Sequence, residues 1–282
     1  IERVELFEAP EPRLELRRRA AQVAEHHIGE PEIAFSVLLD ALQESWRDKT
    51  LATDLEDLAE KTNQWSLLIE SYGAILKDIQ GTSEAIVLHN TFGRWYYLKV
   101  TPPEYNRSWQ HFQDVLRFDA NNLDAYEGLA EIYSRLSQND PNQFGELVKI
   151  QTRRAELLSS EDPEQRELKV KLYNQVGHIW EERLPHSDPG LENAIISYRK
   201  AVELDDLHLD SIDQLSRIFE SQSRWLEQVE VLELRAAALS DPDAAIATRF
   251  LIGQRWENQL SDFEKAVDAY TRVIAAEETH AD

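Results

Sequence analysis

Along most of the chain apolar residues return every third or fourth position, as in Leu191, Ile195, Tyr198, Ala201 and Val202. That spacing lays one apolar stripe down an α-helix. No stretch alternates apolar and polar residues for long enough to argue for a strand. The prolines mark the edges of the periodic stretches, at Pro31, Pro102, Pro103, Pro141, Pro163, Pro185, Pro189 and Pro242. Four of them follow an aspartate, in Asp140-Pro141, Asp162-Pro163, Asp188-Pro189 and Asp241-Pro242. Such a step offers a side-chain acceptor at the N-cap and a ring at the first helical position, so each predicts a helix start. The predicted helices run about 12 to 16 residues, too short to stand alone in water, and each must bury its stripe on a neighbour. The chain reads as all-α.

The stripes also repeat. The stretch from Ala20 to Ala41 superposes on Ile252 to Val273 with a constant offset, pairing Ala21 with Gly253, Ala24 with Trp256, Ile28 with Leu260, Ala34 with Ala266, Leu38 with Tyr270 and Ala41 with Val273. Small residues recurring at fixed columns predict close approach of two helix axes, and large ones predict knobs that fill the space between pairs. The same columns return as Gly93, Tyr96, Ser108, Phe112 and Val115, and as Gly177, Trp180, Ala194, Tyr198 and Ala201. Shorter, more degenerate pairs lie between these four, giving seven units at 12–49, 51–80, 83–120, 123–160, 163–206, 208–240 and 243–278, with a mean period of about 39 residues.

The pattern Leu-[Gly/Ala]-x-x-aromatic in a first helix and Ala-x-x-x-[Tyr/Phe]-x-x-Ala in a second resembles the tetratricopeptide repeat. Tyr126, Leu129, Ala130 and Tyr133 carry it in a first helix, and Ala194, Tyr198, Ala201 and Leu204 in a second. The resemblance implies a right-handed α-solenoid of about seven antiparallel helix pairs in one domain. The chain departs from the family in its longer period and in residues such as Asp206 where a proline usually closes the repeat. It is most similar to the irregular arrays of large bacterial proteins. With no Met, even at position 1, the chain reads as a piece of a longer array.

Charge narrows the expected partners. A net charge of -23 opposes the approach of nucleic acid and anionic lipid, and would speed the approach of a basic protein or peptide. No apolar run reaches the roughly 18 residues of a membrane helix. The first ten residues hold no secretory cleavage pattern, and the cytoplasm is the favoured compartment. With no Cys there is no disulfide, thiolate ligand or thiol nucleophile. The sequence holds no phosphate-cradling glycine loop, no nucleophile elbow and no His pair at metal-ligand spacing on one helix face, so no enzyme, cofactor or metal site is expected. Of the seven Trp, Trp180 and Trp256 fall in a packing column, and Trp65 and Trp225 begin second helices of short units, so these four are expected to be structural.

In the family, first-helix residues off the packing stripe line the concave face. Carried onto this chain, the short units offer Glu56, Glu60, Asp124, Glu127, Glu131, Asp210, Asp213 and Glu220, an acidic strip. The long units offer Arg18, Asn90, Arg94, Tyr97, Lys171, Asn174 and His178, with the two Asn at equivalent positions. The resemblance implies a non-catalytic scaffold or adaptor that holds a protein or peptide on this face, a basic segment being the best match to the strip. The alternative is a peptide-sensing domain that controls an attached enzyme. Loops such as Leu184–Gly190 and Lys99–Tyr105 add edge surface to two pairs.

Overall fold

The structure, a computed structural model, describes residues 10–184 and 190–280, and every regular element among them is helical. In order these are α1 (Pro10–Val23), continued by a π turn at Ala24–Ile28, α2 (Pro31–Leu39), the short α3 (Leu42–Ser45), α4 (Lys49–Thr62), α5 (Trp65–Asp78), α6 (Ser83–Leu98), α7 (Tyr105–Phe118) and α8 (Leu123–Ser137). A 3₁₀ turn at Pro141–Gln143 leads into α9 (Phe144–Leu157). Then come α10 (Pro163–His178), continued by a π turn at Ile179–Arg183, α11 (Gly190–Leu204), α12 (Leu209–Ser221), α13 (Trp225–Ala238), α14 (Pro242–Asn258) and α15 (Phe263–His280).

The chain divides into two compact units, Ile1–Ile132 and Tyr133–Asp282, with the boundary inside α8. In the first, α1 packs with α2, α4 with α5 and α6 with α7, while α2 meets α4 and α5 meets α6. In the second, α10 packs with α11, α12 with α13 and α14 with α15, while α9 meets α10, α11 meets α12 and α13 meets α14. Each unit is thus a stack of helical hairpins in chain order, the α-solenoid arrangement that the repeat predicts.

Local chemistry explains the boundaries of these helices. Asp48, Thr82 and Asp162 accept backbone N–H bonds in the first turns of α4, α6 and α10, and Asp241 does the same for α14. Asp140 caps the 3₁₀ turn ahead of α9, and the Asp188-Pro189 step lies outside the described residues, as does the Pro185–Pro189 part of the predicted edge loop. Three hairpins turn through one left-handed residue between their helices, Asn63 (φ 56°), Ser223 (φ 56°) and Ser261 (φ 54°), and the first hairpin uses Gly29 (φ 81°).

The repeat columns turn out to be seats for rings. A Cβ added at Gly93 would lie 2.6 Å from the Phe112 ring, one at Gly177 2.5 Å from Tyr198, and one at Gly253 2.4 Å from Tyr270. Only hydrogen on that column lets the first helix of the hairpin rest on the ring of the second. Ala21, Ala34, Leu38, Ala41, Ala266 and Val273 are buried in the same frame, and Trp180 and Trp256 pack on neighbouring core clusters. Trp65 is buried as well. Ile28 departs from its column: it ends the π turn and is 64% exposed, so the match to Leu260 does not extend to packing.

Candidate partner-binding face of the first helices

In the first unit, the candidate side chains of α4, α6 and α8 meet one another. Glu60 on α4 accepts from Lys99 Nζ, at the end of α6, at 2.9 Å and from Trp65 Nε1 at 3.1 Å, and the Lys99 ammonium lies 5.2 Å from the Trp65 ring centroid. The hydrogen bond from Lys99 holds the Glu60 carboxyl below the usual carboxylate range against a small opposing effect of burial. Arg94 on α6 reaches Asp124 at 3.5 Å and Glu127 at 3.7 Å on α8, and Glu131 is exposed one turn farther along α8. Asn90 is buried and donates at 3.2 Å to Asn122 Oδ1, which also accepts the Ala125 N–H at the start of α8. Tyr97 is buried against Phe112, and Arg18 on α1 contacts Asp48, the N-cap of α4, at 2.6 Å.

The second unit repeats this wiring. Asn174 on α10 donates to Asp210 Oδ2 and to Ser211 Oγ, both at 2.9 Å, in the first turn of α12. His178 Nε2 lies 3.1 Å from the same Asp210 oxygen. Burial opposes ionisation of Asp210, but bonds from His178, Asn174 and Gln214 outweigh it and hold its carboxyl below the usual range. Asp213 pairs with Arg235 at 2.6 Å, Glu220 with Arg255, and Lys171 with Glu167 at 2.5 Å on its own helix. The acidic and basic sets that the sequence separates are therefore interleaved: Arg18, Asn90 and Asn174 each tie one first helix to the amino end of the next first helix.

Glu56 stands apart from that pattern. Its carboxyl is half-buried beside a cavity of about 240 Å³ between α4 and α6, and no hydrogen bond reaches it among the described residues. Tyr72 and Trp95, both buried and 5.5 Å apart edge to face, line the cavity together with Trp46 and Leu88. At the rim the Arg47 guanidinium lies 4.4 Å from the Trp46 ring centroid and binds both Glu84 carboxylate oxygens, at 2.7 and 2.9 Å. Burial pushes the Glu56 carboxyl above its usual range, with Lys99 opposing, and burial together with Glu56 raises the Tyr72 phenol. The sequence places Glu56 on the strip by its spacing, but the aromatic wall comes from other helices, and nothing in the α4 pattern announces it.

A second partly buried polar pair lies outside the residues that the sequence singles out. His89 Nδ1 and His111 Nδ1 lie 2.9 Å apart across the α6–α7 hairpin, and His111 stacks on Tyr96 with ring centroids 5.5 Å apart. Burial pushes the His111 imidazole down to about 4 and holds His89 below its usual value, while Asp114 opposes both shifts. Among the described residues no group of three acidic or His side chains is placed to hold a metal ion, and no helix is long and apolar enough to cross a membrane.

No family model matches the chain, and no curated protein matches it. Solved structures do align with it at low similarity. One crystal structure of MamA aligns at 15% identity over 71% of this chain and 96% of that one, with a TM-score of 0.37. A second MamA structure aligns at 17% identity over 64% and 93%, with a TM-score of 0.34. A human IFIT1 dimer with m7Gppp-AAAA aligns at 15% identity over 93% of this chain and 77% of that one, with a TM-score of 0.26.

Proposed function

We propose that this chain is a non-catalytic scaffold that holds a protein or peptide partner on its first helices, with a basic, extended segment as the preferred ligand. One observation carries the reading. Contacts from first helix to first helix, Lys99 with Glu60 and Arg94 with Asp124 and Glu127, join α4, α6 and α8 into one continuous polar face in the first unit. Such a face offers charges at the regular intervals of the hairpin stack, which suits a ligand that runs across helices rather than a small molecule in a pocket. The net charge of -23 sets the sign of the ligand and would steer its approach.

The test is fluorescence anisotropy with three labelled 12-residue peptides of equal length, built of Lys/Ala, Ser/Ala and Glu/Ala. The Lys/Ala peptide should bind at least about tenfold tighter than the Ser/Ala peptide at low salt, and that advantage should shrink as salt screens the exposed charges. The variant Asp124→Lys/Glu127→Lys/Glu131→Lys should abolish it. Equal binding of the Lys/Ala and Ser/Ala peptides, or full retention by the variant, would overturn the reading.

A further inference from the structure

The cavity between α4 and α6 sets aromatic rings beside a half-buried carboxylate. Its walls include the aromatic rings of Trp46, Tyr72 and Trp95 with the hydrocarbon of Leu88, and of its three lining acids Asp48 is held by Arg18 and the Leu51 N–H and Glu84 by Arg47, which leaves Glu56. An apolar group lodged there would leave the half-buried carboxylate without a partner, and an anion would meet it head on. A cation on an apolar stem satisfies both parts of the wall: the stem packs on the rings, while the charge meets the carboxylate and the aromatic faces.

The chain contains a working copy of this arrangement one helical turn away. Glu60 follows Glu56 by four residues on α4, and beside it the Lys99 ammonium sits 2.9 Å from the carboxylate and 5.2 Å from the Trp65 ring centroid. Trp65 and Trp95 are themselves neighbours, with ring centroids 5.7 Å apart. Lysine, indole and carboxylate are thus already assembled where α6 crosses α4, and Glu56, Trp95 and Tyr72 repeat the indole and carboxylate parts beside the cavity. Of the nearby cations, the Arg47 guanidinium is held by both oxygens of Glu84, Lys99 donates to Glu60 and acts on Glu56 only through space, and Lys49 is exposed at the rim.

We infer that this cavity receives one lysine side chain of a polypeptide partner, with Glu56 as its counter-ion and Trp46, Tyr72 and Trp95 as its walls. The inference rests on the partner-binding reading above and names the residue that anchors the partner. Lysine is preferred to arginine because, with Asp48 and Glu84 already engaged by Arg18 and Arg47, the Glu56 carboxylate offers too few acceptors for the five donors of a guanidinium. The cavity is also smaller than the ~300 Å³ at which sites for drug-sized ligands begin.

The experiment follows the indole N–H signals of the full chain by ¹H–¹⁵N NMR, assigned with Trp46→Phe and Trp95→Phe. The probes are the peptide acetyl-Ala-Ala-Lys-Ala-Ala-amide, the same peptide acetylated on the lysine Nζ, and n-butylammonium. The lysine peptide should shift the Trp46 and Trp95 signals saturably and leave those of Trp180, Trp225 and Trp256 in place. It should bind at least tenfold tighter than its Nζ-acetylated form, and Glu56→Gln should remove that preference without lowering the melting temperature. Equal shifts from both peptides, or a preference that survives Glu56→Gln, would overturn the inference, as would the absence of any shift. Binding of n-butylammonium as tight as the peptide would overturn it as well, by assigning the cavity to a free alkylammonium. Any of these results alongside an intact Lys/Ala preference in the anisotropy series would remove the anchor and leave the partner-binding face standing.

Discussion

In the α6–α7 hairpin the ring that fills the glycine seat is Phe112; in the α10–α11 hairpin it is Tyr198. Phe112 is enclosed on two sides, since a Cβ at Gly93 would lie 2.6 Å from it and one at Gly128, on α8, 2.1 Å. Tyr198 rests on Gly177 and sends its hydroxyl to Glu181 at 3.1 Å, where Arg217 also binds. The asparagine at the matching column differs in the same way. Asn90 makes one hydrogen bond to the next first helix and leaves its Oδ1 buried without a partner, whereas Asn174 reaches two acceptors. The two hairpins therefore share a hydrocarbon frame, a glycine under a ring, and diverge in the polar bonds attached to it. The frame sets the distance between helices, and the polar groups respond to whichever side chains the next helix brings.

The largest effect should come from closing the seat. Gly128→Ala places a methyl group against a ring that Gly93 already confines on another side, so Phe112 has little room to retreat. Overpacking of this kind costs about 1–3 kcal/mol, against a gain of about 1 kcal/mol from replacing glycine inside a helix. Urea unfolding followed by tryptophan fluorescence should therefore show Gly128→Ala, confined on two sides, losing up to about 2 kcal/mol, and Gly177→Ala, whose ring meets a single glycine, losing less. Adding Phe112→Leu to Gly128→Ala should restore part of the loss. If Gly177→Ala proves the more damaging, confinement on two sides is not what distinguishes the hairpins.

Acid should separate them next. The His89–His111 pair belongs to the α6–α7 hairpin alone, and the groups that act on it are Asp114, Arg107 and the stacked Tyr96. The folded His111 titrates at about 4 against an ordinary 6.5. Between those values the unfolded chain binds the proton and the folded chain does not, so stability is complete above the ordinary value and falls as the pH drops towards 4. Partial exposure tempers the effect to roughly 1–2 kcal/mol between pH 7 and 5. The measurement is the urea midpoint across that range for the native chain and for His111→Gln. A slope unchanged in the variant would trace the acid sensitivity to carboxylates instead.

How much of this was legible in the sequence depends on whether the information lay within one repeat. The glycine seats were legible because Gly93, Gly177 and Gly253 recur ahead of Phe112, Tyr198 and Tyr270 in matching columns, with small insertions between the two helices, and close packing restricts a shared column to the residues that fit. The candidate face followed from the repeat resemblance, which places it on off-stripe positions of the first helices, but Asn90, Tyr97 and Asn174, counted among those positions, are buried. The wiring of that face was not legible: that Arg94 faces Asp124, or that His178 and Asn174 share Asp210, depends on which column of one hairpin meets which column of the next. The Glu56 cavity was hidden for a stronger reason. Its walls come from the α3–α4 connection, α5 and α6, and a repeat pattern records a helix's own stripe rather than the gap between three neighbours. Ile28 fails in the opposite sense, because a π turn rotates the end of its helix and carries a matching residue into solvent.

The smallest effect is the sharpest test of the comparison, because the two asparagines occupy one column and differ only in what they reach. Removing Asn174 withdraws one amide group from two acceptors, Asp210 and Ser211, at a buried junction, and Asn174→Ala should cost about 1–2 kcal/mol. Removing Asn90 loses a single 3.2 Å bond, and Asn122 Oδ1 keeps the Ala125 N–H. It also removes a buried oxygen that has no hydrogen-bond partner, whose desolvation already weighs against the folded state. Asn90→Ala should therefore cost about 0.5 kcal/mol or less. Leucine at the same sites widens the contrast. Asn90→Leu fills the space without stranding a charge and should be close to neutral, whereas Asn174→Leu deprives the Asp210 carboxylate of a donor it uses to stay ionised. Equal losses at the two sites would mean that the column itself, rather than the partner it reaches, sets the value of the tie between successive first helices.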